Sequence, residues 1–189
     1  FSNPHAHHHR KRLGNATPAG EGIVDRICKN VALKDLLLNG AATPQAPADD
    51  AACPLFESLA SAECLPSLIC EVKYRSPSVL HTSSDAPEVV VQDYLRGAGK
   101  HLKCISVLAE DTFFGGGVHV IDSVKQQLAT SCAAGESPQL ILMKDFFLSK
   151  VHLAQARAVG AHAVLLIVCL EDRMEVSLRD MIDHCRLLG

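Results

Sequence analysis

From Pro66 onward the chain repeats one unit four times: a short apolar segment, a polar loop, and then an amphipathic stretch with helical spacing. No other feature constrains the fold as strongly. The apolar segments are Leu68–Lys73, Leu102–Leu108, Leu140–Lys144 and Ala163–Cys169, and the stretches between and after them predict helices near 87–98, 118–131, 150–159 and 173–188. Strands that are apolar on both faces and separated by helices pair in parallel through right-handed crossovers, which makes this an α/β chain.

Local punctuation supports those boundaries. Asp85, with Pro87 two residues on and Glu88 three residues on, has the pattern of an N-cap with a capping box. In the last predicted helix Leu178, Met181, Ile182, Cys185 and Leu188 form an apolar stripe, and Gly189 stands where a terminating glycine belongs. Ahead of the repeats, Ile23, Ile27, Val31 and Leu38 recur at helical spacing, so a first helix is expected over 23–38, ended by Asn39-Gly40. Residues 41–53, rich in Ala, Pro and Asp, read as a loop, and a short helical piece follows around Phe56 and Leu59. The expected organisation is a disordered polar arm over 1–22, an N-terminal helical extension and loop over 23–66, and the repeating unit over 67–189.

Composition removes several classes of function. With 189 residues, 48% of them apolar, one domain with a sizeable core is the default. A net charge of −3 does not suit a nucleic-acid partner, which calls for a basic face, whereas a small anionic ligand remains compatible. The longest apolar run is the eight residues Ala163 to Leu170, far short of the ~20 that cross a bilayer, so it reads as a buried strand in a soluble chain. The polar start has no apolar core of a signal peptide. Eight cysteines form no C-x-x-C pair, and Cys70, Cys104 and Cys169 lie in apolar runs where a thiol packs as a small hydrophobe; a reducing, cytoplasmic setting is expected. The His5, His7, His8, His9 cluster has nothing around it to support a metal site, and the Asn15-Ala16-Thr17 acceptor is idle without secretion. No metal and no cofactor are expected.

Alternation alone does not separate a closed barrel from an open doubly wound sheet, and charge placement favours the barrel. Glu71 and Lys73, at i and i+2, share one face near the end of the first strand, and the third strand ends in Lys144-Asp145. Charges at strand C-termini suit the mouth of a (β/α)8 TIM barrel, while no G-x-G-x-x-G follows the first strand. Four β/α units are half of such a barrel. An isolated half leaves two strand edges and an inner face uncovered, so further units or a partner are expected. The absent initiator Met also suggests a fragment.

The run Leu68-Ile69-Cys70-Glu71-Val72-Lys73-Tyr74-Arg75-Ser76-Pro77-Ser78 resembles the first-strand signature of indole-3-glycerol phosphate synthases, an apolar pair, E-x-K, then S-P-S. It departs at Tyr74 and Arg75, where that family usually has a basic or small residue followed by a small one. Ile105 to Leu108 with Phe113-Phe114-Gly115-Gly116 is similar to the family's second strand and following loop. Leu142 to Phe146 is similar to its third strand, and Ala156 to Val168 to its third helix and fourth strand. The four blocks come in the family's order and cover about residues 56–189. Residues 1–55 match poorly, and the loop between Gly117 and Pro138 looks longer than usual.

The resemblance implies a cofactor-free lyase of tryptophan biosynthesis that condenses an aromatic ring onto a sugar ketone and then loses carbon dioxide and water. Such chemistry needs a proton donor for a developing oxyanion and cations for a carboxylate and a phosphate. Lys144 matches the family's general acid, and a lysine at an apolar rim is a competent donor because desolvation weakens its hold on the proton. Lys73 matches the lysine on the substrate's anionic groups, with Glu71 holding it in place. Ser76 would bond the substrate's carboxylate, and Phe114, Phe146 and Leu165 would wall its aromatic ring. The family's fifth-strand glutamate and the phosphate loops of strands seven and eight have no counterpart among the matched blocks. Blander readings stand beside these: a structural ion pair for Glu71 and Lys73, a solvated strand end for Lys144-Asp145, and core packing for the phenylalanines. Three functions are thus open. They are an incomplete synthase that takes a small phosphorylated substrate and is joined to a second half-barrel or a fused tryptophan-pathway domain; an inactive half-barrel scaffold; and another phosphate-binding barrel enzyme.

Overall fold

The computed structural model describes residues 22–38, 54–60, 66–76, 79–82, 85–133 and 138–189. The histidine cluster and the Asn15 acceptor, Asn39-Gly40 and the expected 41–53 loop, Cys53, Cys64, and Pro77-Ser78 of the first-strand motif all lie outside the described residues.

In chain order the elements are helices α1 (Ile23–Leu38) and α2 (Pro54–Ala60), then strand β1 (Leu68–Val72), a hairpin of β2 (Arg75–Ser76) and β3 (Val79–Thr82), and helix α3 (Pro87–Ala98). Strand β4 (Leu102–Leu108), the one-turn helix α4 (Asp111–Phe114) and helix α5 (Val118–Ser131) follow. Strand β5 (Leu140–Lys144), helix α6 (Lys150–Val159), strand β6 (Ala163–Val164) and helix α7 (Leu178–Leu188) complete the described chain. The sheet order is β1-β4-β5-β6, every pair parallel, and α3, α5 and α6 are the main helices of the three successive crossovers.

Strand alternation divides the sheet into two faces. Cys70 and Val72 of β1, Ile105 and Val107 of β4, and Ile141 and Met143 of β5 join the core beneath the helices, where Val91, Ile121, Leu153 and Met181 meet them. Burial of these apolar side chains is the main source of stability, at about 25 cal/mol per Å² removed from water. The residues between them, including Glu71, Ser106 and Lys144, belong to the opposite face, with Glu71 level with Ser106 and Leu108 level with Lys144.

A second, smaller apolar cluster joins Ile27, Cys28 and Val31 of α1 to Leu148 and Leu170, with Phe113, Phe114, Phe146, Ile167 and Met174 partly buried against it. All but the α1 residues lie in the segments that follow β4, β5 and β6. Helix α1 therefore sits over the C-terminal end of the sheet. Two ion pairs fasten it there, Lys34 to Asp111 at 2.6 Å and Arg173 to Asp25 at 2.5 Å, together with Arg26 stacked over Phe113.

Several expectations need correction. Helix α3 starts at Pro87 with Ala86 as its N-cap and no side-chain capping bond, so the Asp85 capping box does not form, although the proline does occupy the first turn. The fourth strand is only Ala163–Val164. Its neighbour β5 ends at Lys144, only one register position beyond the last pair, and Asp145 then turns the chain by accepting the Phe146 N–H at 2.8 Å, so Leu166 and Ile167 have no ladder to join. The chain instead coils into a 3-10 segment over Val168–Arg173, leaving Val168 66% exposed and Cys169 on the surface rather than packed. The last helix accordingly begins at Leu178, where Ser177 accepts the Asp180 N–H at 3.1 Å, and it runs to Leu188 with Gly189 at φ +74°. The hairpin β2–β3 and the turn α4 were not foreseen.

Candidate active site

Strand β1 carries Glu71 on the face opposite the helical core, and β5 carries Lys144 on that same face two strands away. The sheet's curvature and the lysine's reach bring them together: Lys144 Nζ donates to Glu71 Oε2 at 2.5 Å. Lys73, just past the end of β1, lies 3.4 Å from Glu71 Oε1, so one carboxylate is shared by two ammonium groups at the C-terminal end of the sheet. All three side chains are about one-third exposed, a setting in which the charges stay accessible to a ligand. Burial pushes the Glu71 carboxyl up, but the hydrogen bond and charge of Lys144, with Lys73 adding to them, outweigh it and hold the group below its usual range. The backbone beneath is fixed from the helical side, where the Tyr94 hydroxyl donates to the Glu71 carbonyl at 2.7 Å.

The apolar candidates take up two positions. Phe114 closes the turn α4 and Phe146 follows β5, and both pack against the α1 cluster. Leu165 is 44% exposed just beyond β6; because Val164 is level with Met143 on the core side, alternation places Leu165 on the face that carries Lys144. Ser76 lies on β2, level with Val79 across the hairpin.

Sequence reasoning passed over the group that shapes this mouth. Glu110 is buried, and its carboxylate accepts the N–H groups of Thr112, Phe113 and Phe114 at 2.7–3.2 Å, so it caps α4 and fixes the turn that presents Phe114. Gly116 then folds back so closely that a Cβ would stand 2.0 Å from the Leu108 carbonyl oxygen. An acidic residue directly before a one-turn helix was the only available signal, and it is a weak one. The contacts of α1 had no local signal, since Lys34 and Asp111 are 77 positions apart.

Behind β5, Asp145 lies 3.6 Å from the His152 imidazole, which meets the Phe147 ring at a tilt of 43°, and the Asp145–His152 pair is nearly buried. Among the described residues no group of three or more His, Cys, Asp or Glu side chains is placed to hold a metal ion, and no helix is long and apolar enough to cross a membrane. The mouth offers acid–base and anion-binding groups: a carboxylate and two ammonium groups.

Comparison with known proteins gives this geometry a context. The family described as indole-3-glycerol phosphate synthase matches residues 22–186. Proteins named indole-3-glycerol phosphate synthase from Nocardioides sp. and Variovorax paradoxus are 40% identical over 125 residues and 41% identical over 109 residues, which is 65% and 56% of this chain. One of the same name from Rhodococcus jostii is 32% identical over 176 residues, or 89% of this chain. The matched stretches span 42%, 38% and 58% of those relatives' lengths, so the chain corresponds to about half of each.

Proposed function

The chain belongs to the indole-3-glycerol phosphate synthase family, and from that premise we propose that it carries the first four β/α units of a synthase barrel and, with them, the proton donor and an anion site of the reaction. The reaction is the decarboxylating, dehydrating ring closure of 1-(2-carboxyphenylamino)-1-deoxyribulose 5-phosphate to indole-3-glycerol phosphate. The observation that carries this reading is Glu71 shared between Lys144 and Lys73 at the strand ends.

In this reading Lys144 protonates the oxygen of the sugar ketone as the aromatic carbon attacks it, because the developing oxyanion needs a proton at that moment. Lys73 pairs with the substrate's anionic groups. Glu71 keeps both ammonium groups at the mouth and gives up part of its hold when the anionic substrate arrives. Ser76 bonds the carboxylate, and Phe114, Phe146 and Leu165 flank the ring. The acid/base glutamate and the phosphate loops are supplied by four further units, from a second half-barrel or a longer polypeptide that also includes other tryptophan-pathway domains. A reducing cytoplasm suits such an enzyme.

The test is to complete the barrel, by fusion or in trans, with the C-terminal half of a relative and to follow the fluorescent indole product. The 189-residue chain alone should show little turnover, since each missing group contributes about 10²–10⁴-fold. The completed barrel should turn over, Lys144→Ala should remove most of kcat, and Lys73→Ala should impair both binding and rate. A completed barrel that never turns over, or one in which Lys144→Ala matches the parent, would sink this reading and favour a scaffold.

A further inference from the structure

The turn α4 is held at both ends by different parts of the chain. Its N-terminal amides are taken by Glu110, the residue directly before it and two past the end of β4. Its other end poses a second demand, because the carbonyls of a four-residue helix, those of its first residues included, point that way and have few following N–H groups to meet them. Arg75, some 36 positions earlier on β2, answers it. Its Nη2 donates to the carbonyl oxygens of Asp111 at 3.1 Å and Thr112 at 3.3 Å, which also places a cation at the negative end of the turn.

The exit from the turn fits the same contact. Gly115 leaves in the left-handed region at φ +73°, and the position its absent Cβ would take is 2.8 Å from Arg75 Nε, so a side chain there would push the guanidinium aside. The guanidinium is thus seated against bare backbone. Asp111, in turn, holds Lys34 of α1, so β2, the turn and the covering helix form one connected chain of contacts.

We propose that Arg75 is a positioning residue that latches the 111–117 turn onto β2 and so holds Phe114 where an aromatic substrate ring would meet it. This rests on the proposed function only for the identity of the ring. Phe114 is the last residue of the turn, directly beside the end that Arg75 secures, so loosening that end moves Phe114 first. Arg75 touches no reacting atom in this role, and it acts through the turn.

Hydrogen exchange on the 189-residue chain tests the latch without any catalysis. In Arg75→Met, which keeps the apolar stem, the amides of Phe113, Phe114 and Gly116 should exchange about five- to tenfold faster, as expected for losing charge-assisted hydrogen bonds at an exposed site. Arg75→Lys should fall between, because a single ammonium replaces the planar fork. The amides of Ile105 and Val107 in β4 should keep their parental rates. Parental exchange in the turn, or equal acceleration in β4, would overturn the latch. In the completed barrel, Arg75→Met should raise KM several-fold with kcat nearly constant, since the ring's wall is loosened while the proton donor is untouched. A loss of kcat at constant KM would overturn it as well. A completed parental barrel without turnover would instead refute the synthase reading and leave the exchange result to judge the latch.

Discussion

Replacing Glu71 by glutamine removes the one negative charge that two lysines share while keeping the side chain's shape. The Lys144 contact at 2.5 Å is a charge-assisted hydrogen bond, a kind that contributes about 1.5–3 kcal/mol when well buried. The carboxylate is one-third exposed and the lysines similarly so, and solvent screening reduces that figure to about 1 kcal/mol. The second contact, to Lys73 at 3.4 Å, adds a few tenths, so Glu71→Gln should destabilise the fold by about 1–1.5 kcal/mol at pH 7. The effect should depend on pH in one direction. The folded-state pKa of Glu71 lies below its ordinary 4.5, so its contribution is present above pH 4.5 and is lost as pH falls through the folded value. Urea denaturation of both proteins, followed by circular dichroism from pH 7 down to pH 3, should show the gap between them closing at the acid end. A gap of the same size at both ends would mean that the loss is one of packing, and no gap at pH 7 would mean that the shared carboxylate contributes nothing to the fold.

Two further outcomes follow from other parts of the structure. The His162 imidazole accepts the Ile141 N–H at 3.1 Å, and burial, then Arg157 and Lys125, hold its pKa below 6.5; a histidine of this kind stabilises the fold above pH 6.5 and loses that contribution as pH falls, so stability should drop between pH 7.5 and 5.5, and the drop should be smaller in His162→Gln. Strands β1 and β6 form the two edges of the parallel sheet, with Leu68, Ile69 and Leu165 exposed along them; the 189-residue chain should therefore self-associate in sedimentation or bind a hydrophobic dye strongly, and a monomer that leaves the dye dark would show that the edges are covered from within the chain.

What could be read from residues alone was whatever repeats locally. The α/β class, the parallel pairing and the bounds of α1, α3, α5 and α6 follow from apolar periodicity, because a side chain's face depends only on its position along its own helix or strand. Glu71 and Lys73 were legible for the same reason, being two residues apart on one strand. The meeting of Glu71 with Lys144 is different, since 73 positions separate them and only the register of β1 on β4 and β4 on β5 makes them neighbours. Tertiary structure also decided against local signals. Ala163 to Leu170 is as apolar as any strand in the chain, yet it pairs for only two residues, because a strand needs a partner's backbone and β5 offers just one more position, Lys144, before Asp145 turns it away. Asp85 has the composition of a cap, but the helix starts one residue after Ala86. The covering of the mouth by α1 and the reach of Arg75 to the 111–117 turn are contacts between segments distant in sequence, and no property of either segment by itself specifies the other.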